Sequence, residues 1–221
     1  MVTFEDVKAS QEIKTYIKHA DKATEALGYT EHSFAHVSKT AMGAGNLLRD
    51  LGYDARTAEL GEIAGYLHDI GNVVNRADHA HSGAVMAFQL LSNMGMDCQE
   101  VATIISAIGN HDEGTGFPVN EVAAALILAD KSDVRRSRVR VREECTLAYD
   151  IHDRVNYAVV EGALALQLDE RAVNLTLDID TEVCPVMDYF EIFLERMLLC
   201  RRAAGFFSLK FGLVINGVKL L

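Results

Sequence analysis

A mainly α-helical chain, a helix bundle followed by a small C-terminal β-β-α-β appendage, is what the sequence predicts, on three observations. Apolar residues recur at helical spacing in six successive segments up to residue 130, and only two prolines, Pro118 and Pro185, interrupt the 221 residues. After about Tyr157 the pattern changes to short alternating runs. The helical part is placed at residues 1–157 and the appendage, packed on it, at residues 158–221.

The first helix is expected from Phe4 to Leu27, with Val7, Ile13, Ile17 and Ala20 on one face and Gly28 as its stop. A second follows from near Ser33 to Leu51, ended by Gly52, and carries His36 in its first turns. Ala55 to Leu67 forms a third and delivers His68-Asp69 at its end, where Gly71 and Asn72 break the pattern. His79–Met94 and Gln99–Ile108 are the fourth and fifth, with His111 just past Gly109. Asn120 caps the sixth, Glu121–Ala129, which ends at Asp130. In the appendage, Ala163–Leu168 and Ala172–Ile179 form a hairpin, Val186–Ala204 an amphipathic helix and Lys210–Ile215 a closing strand before Asn216-Gly217. So small a sheet needs a partner surface.

Bulk properties narrow the function. A net charge of −11 argues against broad nucleic-acid or anionic-membrane binding, each of which needs an extended basic face. No signal segment opens the sequence and no apolar stretch reaches the roughly 18 residues of a membrane span, so the cytoplasm is expected. Cys98, Cys145, Cys184 and Cys200 form no CxxC pair and read as reduced thiols. A homo-oligomer is compatible with all of this.

The chemistry-bearing residues are His36, His68, Asp69, His79, His111 and Asp130, most of them beside helical stretches. Imidazole nitrogens and carboxylate oxygens without thiolates suit Fe, Mn, Co, Ni or Zn and disfavour a structural zinc site. One ion needs about four such groups. Six leave room for a second, with Asp69 as the bridge between ions roughly 3.5–4 Å apart. Asp130 ends the apolar stretch Ala123–Ala129, where an unpaired carboxylate is unfavourable to bury; a metal removes that penalty, as does pairing with Lys131 or Arg135. His32 and His36 share a helical face, with His36 favoured as ligand and His32 toward substrate; His19 and His152 read as surface or cap residues.

The ordered set His36, His68-Asp69-Ile70-Gly71, His79 with Gly83-Ala84, His111 and Ala129-Asp130 resembles the HD-domain superfamily of metal-dependent phosphohydrolases, over roughly residues 30–140. The spacing to Gly83-Ala84 favours His79 over His81 as ligand, leaving His81 as a solvated histidine. Glu113-Gly114-Thr115-Gly116-Phe117-Pro118 and Ala129-Asp130-Lys131-Ser132-Asp133 are similar to the Asp-Gly-Thr-Gly-Tyr-Pro and Ala-Asp-x-x-Asp motifs of the HD-GYP branch, which degrades cyclic dinucleotides. The chain departs from that branch at Asn110, where the branch has a histidine, at Asn72, where it has a lysine, and in a shortened segment after His111. The resemblance therefore implies the superfamily rather than the cyclic-dinucleotide substrate.

What it implies is a hydrolase that cleaves a phosphoester of a small, nucleotide-like or otherwise phosphorylated substrate with water activated by one or two divalent ions. Asp69 bridges, and Asp69 or Asp112 accepts the proton. The basic run Arg135–Arg142 reads either as an exposed helical face pairing with Glu143 and Glu144 or as a phosphate-capture element, in which Lys131 and Arg135 come nearest the metal. Gly114-Thr115-Gly116 reads as an anion-approaching loop or a plain turn. Two other readings share the ligand pattern: a di-iron oxygenase, and a non-catalytic metal-binding regulatory protein.

Overall fold

The structure, a computed structural model, describes residues 1–140 and 150–221. Seven helices precede the gap: α1 (Phe4–Ala9), α2 (Gln11–Ala26), α3 (Phe34–Asp50), α4 (Ala55–Leu67), α5 (His79–Asn93), α6 (Cys98–Gly109) and α7 (Glu121–Lys131). After it come α8 (Ile151–Ala158), β1 (Val159–Gln167), β2 (Ala172–Ile179), α9 (Val186–Phe206), β3 (Lys210–Ile215) and β4 (Val218–Lys219).

Helix starts follow side-chain capping. Ser33, Asp54, Asp97, Asn120 and Asp150 each accept a hydrogen bond from an amide of the helix that follows. The single helix expected over Phe4–Leu27 is divided. Ser10 leaves the helical region at ψ 121° and its hydroxyl accepts from the Ile13 amide, so it ends α1 and starts α2. The run Arg135–Arg142 does not form an exposed helical face in its described part. Arg136–Arg138 is one 3₁₀ turn with Arg138 buried, and residues 141–149, including Arg142, Glu143, Glu144 and Cys145, lie outside the described residues.

α7 is the hub. Val122 to Leu128 is apolar without a break, a pattern that leaves a helix no face for water, and all seven residues are fully buried. α3, α4, α6 and α9 pack against it. α3 and α4 approach so closely that a Cβ on Gly65 would lie 2.6 Å from the Cα of Ala41. A 3₁₀ turn, Ile70–Val73, runs from the end of α4 to the region of α5, and a Cβ on Gly71 would collide with the His79 carbonyl.

The sheet has the order β1-β2-β3-β4. β1 and β2 form the expected antiparallel hairpin, although β1 begins at Val159 rather than Ala163. α9 is the crossover that returns β3 parallel to β2. Asn216 and Gly217, at φ 50° and 77°, make the two-residue turn into β4, and the Asn216 side chain bonds both the amide and the carbonyl of Ile179. Buried apolar residues from Val2 to Ile215 form one continuous core. Among the described residues no helix is long and apolar enough to cross a membrane.

Candidate metal centre

Five chain segments bring the six expected ligands together at the inner ends of their helices. His36 comes from the first turn of α3, His68 caps the C-terminus of α4, Asp69 follows it, His79 opens α5, His111 follows α6, and Asp130 sits in the last turn of α7. All six are buried.

Asp69 stands between two groups. Its Oδ2 lies 3.3 Å from His68 Nε2 and 3.5 Å from His36 Nε2, while its Oδ1 lies 3.5 Å from His79 Nε2. Asp130 Oδ1 completes the first group, 3.2 Å from His36 Nε2 and 3.5 Å from His68 Nε2. In the second, His79 Nε2 is 3.2 Å from His111 Nε2. Donor atoms of His36, His68 and Asp130 all fall within 4.8 Å of one another, as do those of His68, Asp69 and His111.

The tautomers show that these residues fit a metal ion. His68 Nδ1 donates to the Gly65 carbonyl at 2.8 Å, His111 Nδ1 to Ile108 at 2.6 Å and His79 Nδ1 to Arg76 at 3.0 Å. His36 Nδ1 donates to Asp133 Oδ2 at 2.8 Å. With Nδ1 so occupied, Nε2 is the atom each ring turns toward the cluster. These nitrogens lie 3.2 Å apart in His36 with His68 and in His79 with His111. Such pairs of Nε2 atoms would coordinate a metal ion, and orientation through Nδ1 is the usual support for a metal-bound histidine.

Electrostatics agree. Burial disfavours a charged His68, yet the carboxylates of Asp69 and Asp130 outweigh it and push this imidazole up to about 10. Asp69 and Asp130 resist the upward push of burial and stay well below the carboxylate range, Asp69 through His68 and His32, Asp130 through Lys131 and His68. Burial moves His111 and His32 well below the ordinary histidine value. The two carboxylates thus draw positive charge into the pocket.

Of the remaining sequence candidates, His32 lies at the rim of the cluster. It is buried, its Nε2 is 4.0 Å from Asp69 Oδ2, and its ring meets His36 edge to face with centroids 5.7 Å apart. Asp112 Oδ1 is 3.9 Å from His79 Nε2, with the side chain 32% exposed. His81 points away into solvent and pairs with Asp78, and His152 is likewise exposed beside Asp150.

Lys131 and Arg135, expected to hold substrate phosphate, are engaged elsewhere. The Lys131 ammonium is buried between Asp130 Oδ2, at 2.8 Å, and Glu113 Oε2, at 3.2 Å. Arg135 bonds Asp133, Glu31 and Ser137. The glycine-rich segment contains a turn in which the Gly116 amide donates to the Asp112 carbonyl at 2.6 Å.

Residue reading alone missed the supports. Asp133 accepts from His36 and also pairs with Lys39. Asn72 Nδ2 donates to Asp69 Oδ1 at 2.9 Å and fixes that carboxylate, and Arg76 Nη1 bonds Asn72 Oδ1 and lies 3.8 Å from Asp69 Oδ1. Glu113 joins Lys131 to Arg196 of α9. Asp133 carried a signal, three residues beyond Asp130 in the Ala-Asp-Lys-Ser-Asp motif; Arg76 and Arg196 carried none.

A helical bundle whose helix ends converge histidines and aspartates around a shared carboxylate defines a class of metal-binding protein. The model of the HD domain matches residues 33–154, more than half of the sequence, and the chain belongs to the HD-domain family. It is 25% identical over 202 residues to an uncharacterized protein of Methanocaldococcus jannaschii, covering 81% of this chain and 76% of that one. It is also similar to the crystal structure of a predicted HD superfamily hydrolase from an uncultured Thermotogales bacterium, with 27% identity, 57% of this chain and 68% of the other covered, and a TM-score of 0.45.

Proposed function

We propose that this chain hydrolyses a phosphoester in a small, nucleotide-like or otherwise phosphorylated substrate. The observation that carries the reading is the placement of Asp69, whose two oxygens face two separate imidazole groups. His36, His68, Asp69 and Asp130 would hold one divalent ion, and His79 and His111, with Asp69 shared, a second. Bound there, such ions lower the pKa of coordinated water towards roughly 7 and neutralise phosphoryl oxygens.

The chain's own side chains supply the rest. Asn72 and Arg76 hold the Asp69 carboxylate in one orientation, so that both its oxygens stay aimed at the imidazoles. His32 Nδ1 is taken by the Thr30 carbonyl at 2.6 Å, so its Nε2 faces the cluster, 4.0 Å from Asp69 Oδ2, and is placed to meet the substrate. Asp112, partly open to solvent beside His79, is the proton acceptor and can pass the proton outward. A cavity of about 380 Å³, bordered by His32 and Arg76, opens beside the cluster. That is at the low end of the range of ligand pockets and suits a small substrate.

Asp69→Ala tests this reading. The variant is expected to lose bound metal, measured by elemental analysis, together with hydrolysis of a panel of phosphomonoesters and phosphodiesters, while its far-UV circular dichroism stays native. Full metal content and turnover in the variant would refute the assignment. Oxygen consumption by the wild-type protein with bound iron would replace hydrolysis with the oxygenase reading.

A further inference from the structure

The cavity beside the cluster is walled in part by α9, and α9 lies wholly outside the segment matched by the HD domain. Three guanidinium groups border it: Arg76, Arg138 and Arg196. They are not equivalent. Arg138 is buried and each of its nitrogens is committed to a backbone carbonyl, Nε and Nη2 to Glu31 and Nη1 to Asp133. Arg196 is held at one edge only. Glu113 Oε1 pairs with its Nε at 2.5 Å, its guanidinium carbon lies 4.5 Å from the Phe193 ring centroid, and its side chain is 24% exposed. Among the described residues its two terminal amino groups have no hydrogen-bond partner. Arg76 is held instead through Nη1, which bonds Asn72 Oδ1 and lies 3.4 Å from His79 Nε2 and 3.8 Å from Asp69 Oδ1, and its guanidinium lies over the Tyr29 ring at 5.4 Å.

An arginine clamped by a carboxylate on Nε and by an aromatic face has lost most of its rotamer freedom before any ligand arrives. Its remaining fork matches the oxygens of a phosphoryl group. Two carboxylates also border the cavity, but Asp150 is engaged with the amides of α8 and with His152, and Asp153 has a partner of its own. Glu113 additionally contacts Lys131, which contacts Asp130, so the position of Arg196 is tied to the metal centre through three successive ion pairs.

We propose that Arg196, together with Arg76, binds the phosphoryl group of the substrate, and that α9 is therefore a specificity element which this chain adds to the family's metal centre. This rests on the phosphoester reading for its substrate, but the binding can be measured without turnover.

The experiment is titration calorimetry of inorganic phosphate into the full-length protein as purified, comparing wild type with Arg196→Met, Arg196→Lys and, as a charge control, the exposed Arg202→Met. Loss of one charge-assisted fork predicts affinity at least about tenfold weaker in Arg196→Met, intermediate weakening in Arg196→Lys and no change in Arg202→Met. Equal affinity in wild type and Arg196→Met overturns the proposal, as does wild-type protein that binds no phosphate at millimolar concentration. Should Arg196→Met lose its native near-UV spectrum, phenylglyoxal modification of the wild type decides instead. Phosphate is expected to protect Arg196, read by peptide mass spectrometry, and equal modification with and without phosphate overturns the proposal. Arg196-dependent phosphate binding in a protein that turns over no phosphoester sustains the site and removes only the hydrolytic reading.

Discussion

Asp133 Oδ2 accepts a hydrogen bond from His36 Nδ1 at 2.8 Å, across 97 residues of sequence. The carboxylate is completely buried, and Lys39, Arg135 and Arg138 surround it. Burial acts against its charge, but the His36 hydrogen bond and Arg138 hold it well below the carboxylate range, so it stays an acceptor and keeps His36 in the tautomer that aims Nε2 at Asp69 and Asp130.

Asp133→Asn tests that relationship. An amide can turn its NH₂ toward Nδ1 and reverse the tautomer, so metal affinity is expected to fall about 10- to 100-fold, the range found for such supporting partners. Competition with a chromogenic chelator measures it. Unchanged affinity would reduce Asp133 to a structural ion-pair acceptor.

Gly65 sets the approach of α3 to α4, and with it the 3.2 Å spacing of His36 and His68. Gly65→Ala places a methyl group against the Ala41 backbone, which cannot rotate away. A loss of about 1–3 kcal/mol in urea unfolding is expected, together with reduced metal content. Gly205, in α9 with nothing near a Cβ, is the contrast. Gly205→Ala should be neutral or stabilise by up to about 1 kcal/mol, since alanine is the better helix former.

Acid sensitivity has a surface contribution that is easily isolated. Arg56 grips Glu100 with Nε at 2.6 Å and Nη2 at 2.5 Å, and this hydrogen bonding lowers the Glu100 carboxyl. A depressed carboxyl stabilises the fold above its unfolded pKa and loses that contribution as pH falls through its folded value. Glu100→Gln should therefore destabilise by no more than about 1 kcal/mol at pH 7 and low salt, with the difference from wild type vanishing in acid. Denaturant titrations at pH 7 and at successively lower pH check it; a difference that does not shrink as the pH falls would point to packing instead.

Much of the helical framework was legible because its signals are local. Asp54, Asp97 and Asn120 announce their helices within three residues, and the unbroken apolar run Val122–Leu128 marks the buried hub. The break at Ser10 was hidden because apolar spacing continues across it from Val7 to Ile13, and only the backbone angles reveal the change of direction.

By itself the sequence determined which residue types could coordinate an ion and in what order they come, since a ligand's chemistry belongs to the single side chain and its place at a helix end follows from neighbouring residues. Only the tertiary structure decided how those donors are used. Packing of α3 on α4 and α7 chose Asp133 as the partner of His36, enclosed Lys131 between two carboxylates, and brought Arg196 from the far end of the chain to the cavity wall. Those outcomes depend on which faces meet across tens of residues, a matter of packing that no local pattern encodes.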